Sequence, residues 1–268
     1  MSTTPFIELR EVSLAFDEKQ VLSKVSFIVD RGETLFLLGV TGAGKSVLLK
    51  LILGLIKPES GQVLIEGRDL VPVPEEQLDQ VRRRMGIVFQ EGALFDSLSV
   101  YENVAYRLRE EGIAREEEIE RRVRDVLGFV EMEQAIDKMP SELSGGMRRR
   151  ISIARAIVSE PEIMLYDSPT AGLDPVTSQT IDLLIAKLRD VQRVTSLVVT
   201  QRIQDAFVLA NYVFSDRDQD LVPVHSANLA RPAPRTRFLV LRNGAVYFQG
   251  SQTGLAGVDD PYLVKFLA

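Results

Sequence analysis

Three features of the 268-residue chain predict an α/β fold with antiparallel strands at its start and a helical stretch set into its middle. IMLYD (163–167) and SLVVT (196–200) are apolar without alternation, as in strands buried on both faces of a parallel sheet. Between them, Val176 to Val191 reads as the crossover helix that parallel strands require. Upstream, TLFLLGV runs into the glycine loop GVTGAGKS and then an apolar helix.

Taken in order, FIELREVSLAF and VLSKVSFIVDRGETLFLLGV read as short strands broken at DEK and RGE, an antiparallel start. The helix after GVTGAGKS is expected to run to just before Lys57-Pro58. VLIEG is a further short strand closed by Gly67, residues 74–84 are helical, and MGIVFQ is a strand. From Leu98 to about Ser159 the chain reads as mostly helix. There Ile119, Val123, Val126, Leu127 and Val130 make one apolar face. Ser215 to Arg237 is polar and proline-rich, a surface excursion rather than core. FLVLRNGAVYFQG is a hairpin whose Asn243-Gly244 turn supplies positive φ angles. The pattern of the tail from Gly250 to Ala268 does not decide between packing on its own domain and packing on a neighbour.

Composition narrows the classes of function. At 45% hydrophobic and 26% charged, the chain can bury a full core. A net charge of −6 argues against nucleic acid as a partner, with Arg82 to Arg84 the one local basic exception. Without cysteine there is neither a disulfide framework nor a thiolate metal site. MSTTPFIELR has no signal-type apolar core, and Val47 to Ile56 is about half the ~20 residues a bilayer crossing needs and carries Lys50, so no direct membrane span is expected.

The chemistry concentrates in a few motifs. GVTGAGKS, Gly39 to Ser46, fits the phosphate-loop pattern: Gly39, Thr41, Gly42, Ala43 and Gly44 offer backbone amides, Lys45 reaches the β and γ phosphates, and the Ser46 hydroxyl ligates Mg²⁺. Asp167, ending its strand, holds the other side of the metal, through water. In LSGGM, Ser144, Gly145 and Gly146 open a helix. Their amides suit a phosphate, and the plainer reading is a serine N-cap followed by a turn.

In this order GVTGAGKS, Gln90, LSGGM, IMLYD and AGLDP resemble the ATP-binding subunit of ABC transporters over nearly the whole chain. The resemblance implies a P-loop NTPase (RecA-like) core with an antiparallel β subdomain and an α-helical signature subdomain. It implies one domain over 1–268, with 1–88 and 160–250 as core and β subdomain, 89–159 helical, 215–237 a surface insertion and 251–268 a tail. Its cofactors are ATP and Mg²⁺. It further implies that Phe16 stacks on adenine, that Gln90 touches Mg²⁺ and senses the membrane partner, and that Asp174 belongs to the loop facing a second subunit. Phe16 as simple core packing is the alternative. In the implied head-to-tail dimer, homodimeric or with a related ATPase subunit, Ser144 and Gly146 act on the ATP held by the partner. FQEGALFDSLSVYENVAY and LSGGMRRRISIARA are most similar to the ATPases of MCE-associated, Mla-type lipid transporters. The expected partners are an integral membrane permease and an MCE-domain protein. The expected place is the cytoplasm, peripheral on the inner face of the membrane.

Two positions depart from the pattern. Hydrolysing members carry glutamate where this chain has Ser168 and histidine where it has Gln201. The sole histidine, His225, lies in the excursion and reads as a solvated loop residue. Binding contacts are retained while the base is missing, so the expectation is firm Mg-ATP binding with slow turnover. The competing expectations are that Gln90 or Asp174 orients the water instead, or that the chain is a non-transport ABC protein using ATP as a dimerising ligand.

Overall fold

In the computed structural model the described residues are 4–112, 115–215, 217–224 and 235–267. They form twelve strands and nine α-helices. The strands are β1 (Ile7–Phe16), β2 (Lys19–Val29), β3 (Thr34–Leu38), β4 (Ser60–Ile65), β5 (Arg68–Asp69), β6 (Met85–Val88), β7 (Ile163–Asp167), β8 (Thr195–Thr200), β9 (Tyr212–Ser215), β10 (Asp220–Pro223), β11 (Thr236–Arg242) and β12 (Ala245–Gly250). The helices are α1 (Lys45–Ile52), α2 (Glu75–Arg82), α3 (Val100–Glu110), α4 (Glu116–Phe129), α5 (Gly145–Ile157), α6 (Pro175–Lys187), α7 (Ile203–Asn211), α8 (Gln252–Ala256) and α9 (Pro261–Leu267).

The main sheet has the order β12-β11-β3-β8-β7-β6, with β12 antiparallel to β11 and the other neighbouring pairs parallel. Its central strands β3 and β8 are buried at every residue, which is why their sequences lack alternation. Successive side chains serve opposite cores. Phe36, Leu38, Met164, Tyr166, Phe238 and Val240 pack toward the helices α3 to α8. Leu35, Leu37, Leu165, Leu197, Val199 and Leu239 pack toward α1 and the antiparallel sheet β2-β1-β4-β5. The sheet is thus the middle of three layers.

Helix limits depart from the sequence reading for local reasons. α1 stops at Ile52, short of Lys57, because Gly54 takes φ +66° and the Leu55 N–H returns to the Lys50 carbonyl at 2.9 Å. The stretch from Leu98 is three helices. α3 opens on a capping box in which Ser99 Oγ accepts from Glu102 N at 3.2 Å and Glu102 accepts from Ser99 N at 2.8 Å. α4 ends where Glu131 adopts φ +58° and Met132 N bonds back to Leu127 O at 2.8 Å. No glycine marks that end. α6 gives way at Leu188 to a wider π-turn, Leu188–Gln192, so its regular part stops short of the expected end at Val191.

The first part of the excursion carries a strand, β10, none of whose residues is buried. β9 (Tyr212–Ser215) pairs antiparallel with β10 (Asp220–Pro223), Val213 and Phe214 are buried, and the half-buried Leu221 packs against the helix-side core. Leu221 pairs with Phe214 and Val222 with Val213, so apolar residues face one another across this ladder. His225 lies outside the described residues. The Asn243-Gly244 hairpin is as expected, with φ +52° and +74°, and its tip presses on β2, where a Cβ at Gly244 would stand 2.4 Å from the Val21 carbonyl oxygen. Arg82 bonds the Leu53 and Gly54 carbonyls and Glu75, and Arg84 bonds Glu66 and Glu162, so two of the three clustered arginines serve internal pairs.

The tail packs on its own domain, with Leu255 and Leu263 buried in the helix-side core. Leu255→Ala is expected to cost about 2–5 kcal/mol, the range for emptying a buried leucine site. Denaturant unfolding with an unchanged m-value checks it.

Candidate nucleotide site

The site is built from strand ends. β3, β8 and β7 are adjacent and parallel, with Leu38 opposite Thr200 and Val199 opposite Asp167, so the segments leaving them emerge side by side. The carboxyl edge of such a sheet is where ligands bind in open α/β folds. There lies an open cleft of about 320 Å³ lined by Phe16, Val21, Thr41, Gly42, Gly44, Lys45, Ser46, Val47, Gln90, Ser168 and Gln201.

Residues 39–46 join β3 to α1, and the three glycines serve different needs. At Gly39 (φ +151°) a Cβ would stand 2.6 Å from the Leu241 carbonyl oxygen, and at Gly44 (φ +99°) it would meet the Leu22 side chain at 2.6 Å. At Gly42 (φ +79°) it would meet nothing within 4 Å. Two glycines therefore let the loop sit tightly against β11 and β2, while the third bends it beside the open space of the cleft. Lys45 is buried and donates from Nζ to the Gly39 and Val40 carbonyls at 2.7 and 2.8 Å. An ammonium has a third hydrogen to offer a phosphate. Burial lowers the Lys45 pKa, against the pull of the Asp167 carboxylate. An anion arriving here meets a poorly solvated cation and the amides at the start of α1. The lining thus fits a nucleotide phosphate.

Ser168 follows β7 in a left-handed conformation (φ +50°) and is buried. Its N–H donates to Val199 O at 2.8 Å, its carbonyl accepts from Ala171 N at 3.1 Å, and its Oγ approaches Asp167 Oδ1 at 3.4 Å. Serine is not a residue that settles in this region unaided. The surrounding backbone imposes it. Gln201 follows β8, is exposed, and accepts on Oε1 from Thr41 Oγ1 at 3.0 Å, leaving its amide N–H groups as donors. Phe16, at the tip of the β1–β2 hairpin, is 48% exposed on the cleft, which removes the core-packing alternative.

Other candidate residues lie elsewhere in the chain. Asp174 caps α6, accepting from Thr177 N at 3.0 Å and Thr177 Oγ1 at 2.6 Å, and the Thr177 hydroxyl and amide hold its carboxyl below the usual range. It does not line the cleft. Ser144 caps α5, accepting from Met147 N at 3.3 Å. Gly145 and Gly146 have no positive φ. Gly146 is small because a Cβ would meet Thr177 Cγ2 at 2.4 Å, so this motif packs against the start of α6. Close approach accounts for Gly146 alone, since a Cβ at Gly145 would meet only Leu173 Cδ2 at an ordinary 3.6 Å.

Three side chains escaped the sequence reading. Arg149, 4% exposed, bonds the Phe89 carbonyl and reaches Ala171 O at 3.5 Å, joining the strand end before Gln90 to the loop after Ser168. Asp182 on α6 and Asp205 on α7 are buried near one another with Arg202. A helical i, i+4 pattern that includes an aspartate on the buried stripe of α6 is the only trace they leave in the sequence.

Comparison with known proteins agrees with the geometry. The signature described as ABC transporter matches residues 22–171. The chain belongs to the ABC transporter ATP-binding family. It is 36% identical over 238 residues, 88% of each chain, to the intermembrane phospholipid transport system ATP-binding protein MlaF of Escherichia coli K12. It is 34% identical over 261 residues to the probable ribonucleotide transport ATP-binding protein mkl of Mycobacterium leprae, covering 97% of this chain and 68% of that one. Its fold, that of P-loop NTPases, resembles a dimeric ATP-binding cassette in a post-hydrolysis state bound to ADP and Pi: TM-score 0.75, 29% identity, 91% of this chain and 98% of the other.

Burial, with repulsion from Asp205 second, pushes the Asp182 carboxyl up to about 8, against the pull of Arg202. The folded chain then keeps a proton that the unfolded chain releases near pH 4, so stability falls as pH rises from about 4 to about 8. For one proton the slope approaches about 1.4 kcal/mol per pH unit. Asp182→Asn is expected to remove this part of the decline, read as a smaller drop in Tm between about pH 5 and pH 8. For Gly39→Ala the expectation is loss of nucleotide binding together with lower stability, because the Leu241 carbonyl cannot yield; a filter-binding assay beside a thermal melt checks both.

Proposed function

We propose that this chain is the nucleotide-binding subunit of a transporter for phospholipid or another hydrophobic substrate, binding Mg-ATP firmly and hydrolysing it slowly. One observation carries the second half: among the described residues, none that lines the cleft is a carboxylate or a histidine. Lys45, the loop amides and the α1 N-terminus supply ground-state contacts to phosphate. Ser46 and Gln90 of the lining, with the half-buried Asp167 that adjoins Ser168 just outside it, offer hydroxyl, amide and carboxylate oxygens, a donor set suited to Mg²⁺ completed by phosphate oxygens and water. When bound, the metal neutralises phosphate charge.

Phe16, exposed at the cleft mouth, is placed to take the base by stacking. At Ser168 a hydroxymethyl group stands where a general base is wanted, and serine cannot hold a proton taken from water near neutral pH. Gln201 is a neutral donor, keeping a hydrogen bond toward phosphate but not a charge. Asp174, engaged as a helix cap and outside the cleft, does not replace the base within its own chain. Gln90 lines the cleft and orients water without deprotonating it.

The phospholipid assignment rests on the likeness to MlaF. In this reading a second cassette, identical or related, closes over the ATP, with Ser144 and Gly146 acting across the interface. An integral membrane permease, working with an MCE-domain protein, holds the pair at the inner face of the membrane. Among the described residues no helix is long and apolar enough to cross a membrane, so a transport role needs that permease to supply the crossing.

Single-turnover hydrolysis of Mg-ATP by the purified chain, beside Ser168→Glu with Gln201→His, tests the reading. The original is expected to bind ATP and to react about 10²- to 10⁴-fold more slowly than the double variant. Lys45→Ala is expected to lose binding. Equal rates in the first pair would show that another group orients the water.

A further inference from the structure

The two divergent positions, Ser168 and Gln201, sit on separate segments that meet behind the cleft. The segment after Ser168 buries Thr170, which is 1% exposed. The segment after Gln201 turns at Arg202 into α7, whose first turn carries Asp205, 7% exposed. Thr170 Oγ1 donates to Asp205 Oδ2. The other oxygen, Oδ1, lies 3.4 Å from Arg202 Nε. Arg202 in turn donates from Nη1 to Ser178 Oγ of α6 at 2.8 Å, and its N–H donates to Thr200 Oγ1 at the end of β8 at 2.9 Å.

Resting on the nucleotide reading above, we propose that Asp205 is a positioning residue: through Thr170 and Arg202 it fixes the Ser168 segment relative to the Gln201 segment and so sets the geometry of the cleft at the end holding Lys45. Neither Thr170 nor Asp205 lines the cleft, so neither touches a ligand there. A carboxylate in the first turn of a helix also favours that helix electrostatically, and this alone would be a structural role. What distinguishes positioning is that Asp205 directs its second oxygen to a residue 35 positions away, in the one segment whose backbone is held in the left-handed region at Ser168. A group held within a few tenths of an ångström at one end of the cleft affects reaction more than binding.

The test uses the full chain in two forms. In the Ser168→Glu, Gln201→His background, Asp205→Ala and Thr170→Val are each expected to lower kcat about 10- to 100-fold, with KM for Mg-ATP rising by no more than about tenfold. Their combination should be no worse than either alone, since both break one link. Thr170→Ser, which keeps the hydroxyl, should retain the rate. In the otherwise unaltered chain, the same variants should weaken Mg-ATP relative to Mg-ADP by about tenfold, a readout that does not need turnover. Unchanged kcat and an unchanged ATP to ADP ratio would overturn the proposal. So would losses that add in the combination, or both affinities falling together with Tm, which mark a structural role only. Failure of the unaltered chain to bind either nucleotide would instead overturn the nucleotide reading, and the positioning role with it.

Discussion

Three parallel strands side by side with both faces buried, β3, β8 and β7, are the constraint on which everything else hangs. A strand covered on both faces has no surface on which to carry polar chemistry. Reactive groups must therefore sit where the strands end, and because the strands are parallel their ends coincide. The phosphate loop, Asp167 with Ser168, and Gln201 are neighbours for that reason, although 160 residues separate Thr41 of the loop from Gln201 along the chain. Ser168 N–H to Val199 O prolongs the ladder one step beyond β7, fixing how the next segment departs.

The antiparallel sheet matters because it forms the other wall. Gly39 and Gly44 are pressed against Leu241 and Leu22, and Gly244 against Val21, so the loop, β2 and the β11–β12 turn are mutually locked with no room for a methyl group. This holds the β1–β2 hairpin, with Phe16 at its tip, over the same opening as Lys45. An aromatic ring and an ammonium facing one cleft from different layers can address the two ends of one nucleotide.

Much of this was legible in the residues because the constraint writes itself into composition. Unbroken apolar runs announced β7 and β8, glycine spacing announced the loop, and Asn243-Gly244 announced its hairpin. The helix ends were less legible where a non-glycine residue adopts positive φ. Glu131 and Ser168 hold that conformation because neighbouring hydrogen bonds impose it, and no local sequence signal records them. The packing of Leu221 was hidden by its proline-rich surroundings, since only pairing with Phe214 of β9 brings it, half-buried, against the helix-side core. Asp182, Asp205 and Arg149 were illegible for a related reason: a charged residue read alone belongs to the surface, and only tertiary neighbours reveal that it is buried.

The substitutions at the site divide its contacts by kind. What recognises a phosphate in the ground state is backbone amides, a buried ammonium and a hydroxyl, and the fold supplies these through geometry that does not depend on residue 168 or 201. What moves a proton from water needs a base, and that depends on a single side chain. On the proposed reading, serine keeps the strained backbone without supplying a base, and glutamine keeps a donor without a titratable ring. Removing negative charge near a phosphate also relieves repulsion, so loss of the base does not entail loss of affinity. In the proposed function, such a site holds its ligand rather than consuming it. On the reading proposed above, a two-site assembly would divide holding from reacting, one nucleotide keeping the pair closed while the other site, completed in part by this chain's Ser144 and Gly146, carries the chemistry.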